Sequence, residues 1–69
     1  MKNYDKVKVG QEVRPKRDLF VNFPKMKGDR FFVAVQPRKS NFPQPLILKV
    51  KRGGKFLKQT ERLSGGWFR

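Results

Sequence analysis

Residues 45–62, with the sequence PLILKVKRGGKFLKQTER, show the clearest structural pattern in the chain. Before Gly53-Gly54, apolar residues recur at every second position, which is typical of a strand with one buried face. Two adjacent glycines allow the positive φ angles that a two-residue hairpin turn requires. We therefore predict a β-hairpin whose tip is Gly53-Gly54 and whose basic flanks are solvated.

A tight turn sets the pairing of this hairpin, with Val50 opposite Leu57 and Lys51 opposite Phe56. A turn one residue longer would move Phe56 inward, because a one-residue slip exchanges the two faces of a strand. In the tight register the core face carries Leu46, Leu48, Val50 and Leu57, and the outer face carries Lys49, Lys51, Phe56 and Lys58.

Outside the hairpin, five prolines and six glycines leave no room for a helix longer than about two turns. The apolar spacing between them is strand-like. The run FFVAV at residues 31–35 is apolar on both faces, which favours a central strand and adds Phe31, Val33 and Val35 to the predicted core. The predicted order is a first strand at 12–17, edge-like or bulged at Pro15, a long loop at 18–29 folded over the core, the central strand at 30–36, a Pro-rich loop at 37–45, the hairpin, and a turn with a short closing strand at 64–69.

Five strands this short hide their edges best by curling into a barrel, so we predict an all-β fold with a small five-stranded barrel. The segment VKVGQEVRPKRDL at residues 7–19, a long loop, a Gly-tipped hairpin and a terminal GGWF resemble small SH3-like barrels, which include KOW-type modules and small phage-encoded barrels. The opening pattern also occurs in OB-like barrels. The resemblance implies binding of nucleic acid or protein through loops and one barrel face, with no catalytic residue.

The length of 69 residues predicts one small domain, with residues 1–6 as a flexible N-terminal tail. The chain has no Cys and no His, which excludes disulfides, ordinary zinc and iron–sulfur sites, and triads built on either residue. Ser40, Thr60 and Ser64 therefore lack a histidine partner. We predict no cofactor, no metal and no enzymatic activity.

The charge balance is the strongest functional indication, with 18 Lys and Arg against five Asp and Glu, a net charge of +13. Self-repulsion at this density opposes compaction, and a polyanion relieves it. The alternative is an excess of charge that serves solubility alone. No apolar run approaches the roughly 20 residues that span a bilayer, and the N-terminus lacks the apolar core of a secretory signal. We expect no membrane partner and a cytoplasmic location, or the host cytoplasm for a viral protein.

Three groups of basic residues are candidates for phosphate contacts. The first is Arg14, Lys16 and Arg17 in the first strand, the second is Lys49, Lys51, Arg52, Lys55 and Lys58 in the hairpin, and the third is Arg38 and Lys39 in the Pro-rich loop. Aromatic residues among them are candidates for base stacking. The hairpin group is the strongest, since a cationic ribbon fits a groove or follows a single strand. Tyr4 and Phe42 are weaker stacking candidates, and Trp67 either closes the core or faces a ligand. The predicted nucleic-acid-binding residues are Arg14, Lys16, Arg17, Arg38, Lys39, Lys49, Lys51, Arg52, Lys55, Phe56, Lys58 and Trp67.

These patterns predict a non-enzymatic nucleic-acid-binding protein that contacts the phosphate backbone of DNA or RNA, in single or double strands. Because Lys outnumbers Arg eleven to seven, we expect backbone binding to outweigh base readout. The alternative is a phage-type protein-interaction module that docks on an acidic surface and modulates a host nucleic-acid machine. A role within a larger ribonucleoprotein is compatible with either.

Overall fold

The computed structural model describes residues 4–39 and 44–69, which form a mostly β fold around one antiparallel sheet. The strands lie in the order β1-β2-β3-β4. They are β1 (Glu12–Val13), β2 (Arg30–Val33), β3 (Pro45–Arg52) and β4 (Lys55–Ser64). One short helix, α1 (Arg17–Asn22), and three 3₁₀ turns, at Tyr4–Lys6, Pro24–Met26 and Gly65–Trp67, complete the described elements. The prediction of an all-β class is confirmed, and none of the helices in residues 4–39 and 44–69 is longer than two turns, as predicted.

The sheet is open, so the prediction of a five-stranded barrel is wrong. Within the described residues, β4 pairs only with β3, and β1 only with β2. The predicted closing strand is instead a 3₁₀ turn followed by a single bridge between Pro15 and Phe68. The turn uses residues 65–67, and Pro15 has no backbone N–H to donate, which leaves little backbone to extend the ladder.

The first strand is shorter than predicted, and the loop after it is more ordered. β1 ends at Val13, and Arg17 already begins α1. Leu19 of α1 is fully buried in the core and Phe20 packs against that core, as expected for a loop folded over it. Val21 and Phe23 of the same segment are exposed, contrary to that expectation, because a six-residue helix turns only one side to the sheet.

The hairpin has the predicted two-residue turn, with φ of +60° at Gly53 and +82° at Gly54. Lys51 faces Phe56, as predicted. The predicted pairing of Val50 with Leu57 is wrong, because the register shifts beyond the tip and Lys49 faces Thr60. Val50 alone therefore stands against three residues of β4, 57–59, which is a β-bulge.

Five of the seven predicted core residues are buried: Phe31, Val33, Leu46, Leu48 and Val50. Val35 is 51% exposed, because β2 ends at Val33 and the chain bends before Pro37. Leu57 is 37% exposed, because it lies in the bulged part of an edge strand where residues 55–60 are all exposed. The rest of the core consists of Tyr4, Val7, Val13, Leu19, Leu63 and Phe68.

The N-terminal segment contributes to this core. Residues 1–3 of the predicted tail lie outside the described residues, but Tyr4 is buried, and its hydroxyl accepts a hydrogen bond from the backbone N–H of Gln44 at 3.1 Å. Its ring lies against Gly65, where a Cβ would overlap the Tyr4 Oη. Burial also removes Tyr4 from the stacking candidates. In the described part of the chain, none of the helices is long and apolar enough to cross a lipid bilayer.

Candidate nucleic-acid interface

The strand alternation sorts the sheet into a buried inner face and an uncovered outer face. In β3, Leu46, Leu48 and Val50 are buried, and the residues between them point to the other side. Directly paired residues of neighbouring strands share a face, so the pairing defines the rest. The outer face consists of Glu12, Arg30, Phe32, Pro45, Ile47, Lys49, Lys51, Phe56, Thr60, Arg62 and Ser64.

Two phenylalanine rings lie at the centre of the outer face. Phe32 and Phe56 meet edge to face, with centroids 5.4 Å apart and planes at 67°. Phe32 is half-buried and Phe56 is 54% exposed. The pairs Phe32–Lys49 and Lys51–Phe56 bring both rings onto this face from β2 and β4. A sheet face with adjacent accessible rings is an arrangement on which bases of RNA or single-stranded DNA stack.

Cations flank both rings. The Cζ of Arg30 lies 5.4 Å from the centroid of Phe32, and the Nζ of Lys51 lies 5.5 Å from that of Phe56. Both distances are within the range of a cation–π interaction, which holds the positive groups beside the rings. The outer face as a whole carries Arg30, Lys49, Lys51 and Arg62 against a single carboxylate, Glu12.

A cleft of about 200 Å³ opens beside the rings. Its walls include Phe32, Phe56, Lys49 and the turn at Val9 and Gly10. This turn is fixed to the end of β2, because the N–H of Gly10 donates to the carbonyl of Val33 at 2.8 Å. Gly10 has a φ of +89°, a value that L side chains rarely adopt, and so glycine allows this turn.

The one carboxylate of the outer face is engaged by Arg30. The Nε and Nη2 of Arg30 donate to the two oxygens of Glu12, each at 2.7 Å. This hydrogen-bonded pair holds the pKa of Glu12 below its ordinary value of 4.5. Desolvation opposes the shift, and the positive charges of Arg30, Arg14 and Lys51 lower the pKa further. Glu12 therefore stays ionised and orients the Arg30 guanidinium at the edge of the ring pair.

Arg52 has a different role from the predicted phosphate contact. Its Nε and Nη2 donate to the two oxygens of Asp29, at 2.9 and 2.8 Å. The Asp29 side chain is only 2% exposed. This hydrogen-bonded pair, and the nearby negative charge, raise the pKa of Arg52. Arg52 ties the hairpin to the end of the loop before β2, and two of its donors are occupied.

The other hairpin cations are only partly brought together. Lys49 and Lys51 lie on the outer face, as predicted. Lys55 pairs with Arg52, one position from Phe56, and so points away from the rings. Lys58 is exposed within the bulged segment 57–59, apart from the regular alternation.

The first predicted group does not form a strand face. Arg14, Lys16 and Arg17 are exposed, but the strand ends before them. The N–H of Lys16 donates to the carbonyl of Trp67 at 2.7 Å, which places this group beside the C-terminal segment. Trp67 is half-buried against the core, with its ring 5.6 Å from that of Phe23. Trp67 therefore lies beside Phe23, which directly follows α1, and apart from the pair Phe32 and Phe56.

The third group precedes residues outside the described part of the chain. Arg38 and Lys39 are exposed, and the backbone of Arg38 bonds with the side chain of Gln44. Ser40 and Phe42 lie outside the described residues.

Sequence reasoning missed Arg30, Phe32 and Arg62 as members of this face. Phe32 was detectable, since strict alternation in the run at residues 31–33 turns it away from Phe31 and Val33. Arg30 and Arg62 depend on the register with β3, which only the folded chain defines.

Among the residues that the structure describes, no group of three or more acidic side chains could hold a metal ion, and the chain has no His or Cys. The chain matches no protein-family model, no curated protein and no solved structure.

Proposed function

We propose that the chain is a non-enzymatic nucleic-acid-binding protein whose outer face contacts the phosphate backbone. The observation that supports this function is the exposed pair Phe32 and Phe56 with Arg30, Lys49 and Lys51 beside it. Rings left in water beside cations fit a ligand with flat apolar groups and regularly spaced negative charges.

The charge distribution supports the same function. The chain has a net charge of +13, and four cations on one open face attract a polyanion at long range. Lys49 and Lys51 act as point charges that contact phosphates without reading bases. The proposal therefore includes modest sequence specificity and strong salt dependence.

The test is a binding titration against matched single- and double-stranded DNA and RNA at several salt concentrations. The double variant Lys49→Gln/Lys51→Gln removes two charges from the outer face. For each phosphate that a removed lysine neutralised, the slope of log K against log salt should become shallower by about 0.7 for single strands or 0.9 for duplex DNA.

A matched control removes two exposed charges elsewhere. Lys16→Gln/Lys25→Gln alters the segment around α1, which covers the inner face. We expect a slope close to that of the unaltered chain, since only long-range attraction changes. A larger loss in this control would move the site to the group around Arg14, Lys16 and Arg17. The absence of salt-sensitive binding to every nucleic acid would contradict the proposal.

A relationship to small SH3-like modules remains part of this proposal. It is supported by the order of the elements: a short first strand, a long loop, a central strand, a Gly-tipped hairpin, and a terminal segment that returns to Pro15. That resemblance implies ligand binding through loops and one face of the sheet.

A second candidate function is that of a protein-interaction module of the phage type. The observation that favours it is the exposure of two apolar side chains, Val21 and Phe23, in the same segment as the exposed cations Arg17 and Lys25. An acidic protein surface that also carries apolar side chains would complement these exposed residues. Exposed α1 residues would then control binding, and Val21→Ser would weaken it while Lys49→Gln/Lys51→Gln would not.

A further inference from the structure

We infer that the cleft between Phe32, Phe56 and the Val9–Gly10 turn receives one unstacked nucleobase of a single strand, with Lys49 and Lys51 on the adjoining phosphates. This inference rests on the proposed function and names the class of nucleic acid and the place of the base. It depends on the shape, lining and surroundings of the cleft.

The size of the cleft fits one base. Its volume is about 200 Å³, below the range of about 300–1,000 Å³ that is typical of sites for whole small molecules. Phe32 and Phe56 supply ring surface, and Val9 and Ala34 supply further apolar walls. A flat aromatic group of this size gains by leaving water for such a lining.

The lining also determines which nucleic acid enters. Within a duplex, a base is stacked on both faces and paired at its edge, so it reaches a ring only after it has been unstacked and unpaired, at a cost of a few kcal/mol. A single strand offers its bases without most of that cost. The cleft therefore favours single strands over duplexes of the same sequence.

Lys49 connects the cleft to the backbone contacts. It is the one side chain with a charge among the cleft residues, and Lys51 lies two positions further along β3 on the same face. Two residues of a strand span about 6.6 Å, so the two ammonium groups reach neighbouring phosphates of one strand. The cleft offers no side-chain acceptor, so we expect it to accept different bases with similar affinity.

The decisive comparison uses two ligands with the same phosphates: an oligothymidylate and an abasic oligomer of equal length. If a base occupies the cleft, the unaltered chain should bind the abasic oligomer more weakly, by roughly 5- to 150-fold for one stacked base. A duplex of the same length should also bind more weakly than the oligothymidylate. This comparison requires no variant, so it does not depend on the folding of one.

Phe56→Leu tests the ring itself, because it keeps an apolar side chain at an exposed position. It should reduce affinity for the oligothymidylate and leave affinity for the abasic oligomer unchanged. A strand containing 2-aminopurine should lose fluorescence on binding to the unaltered chain and lose less with Phe56→Leu. Phe23→Leu is the control, because its ring is exposed directly after α1 and lies outside the cleft. It should change neither affinity.

The inference and the proposed function fail in different ways. Equal, salt-sensitive binding of the abasic oligomer and the oligothymidylate would overturn the base site and leave phosphate binding intact. Binding to the duplex that equals or exceeds binding to the single strand would overturn the inference in the same way. If the chain bound none of the three ligands, the inference and the proposed function would both be overturned.

Discussion

The two faces of the sheet carry similar side chains in very different surroundings. Phe31 and Phe32 are neighbours in β2, yet Phe31 is fully buried against Phe68 while Phe32 lies on the uncovered face beside Phe56. Leu19 of α1, Tyr4 and Phe68 cover the inner face. In the described residues, the lining of the outer cleft from outside the sheet is limited to the Val9–Gly10 turn and Ala34, which directly follows β2. Hydrophobic residues on the inner face therefore stabilise the fold, while those on the outer face remain available to a ligand.

The two ion pairs in the described residues also differ in how far their carboxylates are buried. Asp29 is 2% exposed and pairs with Arg52, whereas Glu12 is 38% exposed and pairs with Arg30 on the outer face. Loss of Arg52 leaves the Asp29 carboxylate buried without a partner, whereas loss of Arg30 leaves the Glu12 carboxylate in contact with water. One pair fixes the hairpin, and the other adjusts the charge of an open surface.

The largest expected effect comes from truncation of the two neighbouring rings. Phe31→Ala should lower the free energy of unfolding by roughly 3–5 kcal/mol, close to the total of about 5 kcal/mol expected for a domain this small. Phe32→Ala should lower it by only about 2 kcal/mol, because the half-buried ring loses its edge contact with Phe56 and the partial burial of its apolar surface. Urea unfolding followed by Trp67 fluorescence measures both, and equal losses would contradict the contrast between the faces.

The next largest effect tests the packing of Tyr4 against Gly65, by which the N-terminal segment covers the inner face. Gly65→Ala places a methyl group against the buried Tyr4 ring, and overpacking of this kind costs roughly 1–3 kcal/mol. The same substitution in a Tyr4→Ala background should cost much less, because the obstructing ring is gone. Unfolding of the two single variants and the double variant measures this coupling; additive losses would show that Tyr4 does not close the core at this point.

A smaller effect separates the two arginines. Arg52→Gln should lower the thermal midpoint, because it leaves the buried Asp29 carboxylate without its partner. Arg30→Gln should change the midpoint little, because Glu12 regains water. Thermal unfolding near neutral pH compares them directly. A larger loss for Arg30→Gln would show that the outer face, too, is part of the structural framework.

Much of the inner face was predictable from local patterns. Alternation in β3 predicts the burial of Leu46, Leu48 and Val50, and Gly53-Gly54 predicts the turn, because both depend on residues close in sequence. The same patterns predict an outer face with Lys49, Lys51 and Phe56, which the pairing confirms for these three.

The remainder depends on contacts between distant residues. Arg52 meets Asp29 across 23 positions, so its cationic side chain looked available for phosphate. Leu57 follows the core alternation, but a bulge and an edge position leave it exposed. Closure into a barrel required a terminal strand, and residues 65–67 form a 3₁₀ turn instead. The register of β2 against β3, which places Phe32 opposite Lys49 and so beside Phe56, likewise appears only in the folded chain.

The smallest expected effect concerns the charge of Glu12. Because the folded chain holds its pKa below the ordinary value of 4.5, the ionised carboxylate stabilises the fold above that value, and the contribution disappears as the pH falls through the lower folded pKa. Glu12→Gln should therefore unfold at a slightly lower temperature near neutral pH and match the unaltered chain in strong acid. The difference should be small, since the pair is exposed.

The same substitution should act in the opposite direction on binding. Removal of the one carboxylate from the outer face releases Arg30 and makes the face more positive, so single strands should bind more tightly near neutral pH. Thermal midpoints over a pH series and titrations at low salt measure the two effects. In an Arg30→Gln background, the pH-dependent part of the stability difference should largely vanish. A difference that stays constant with pH would show that the Glu12 side chain acts through its packing and that its charge does not contribute.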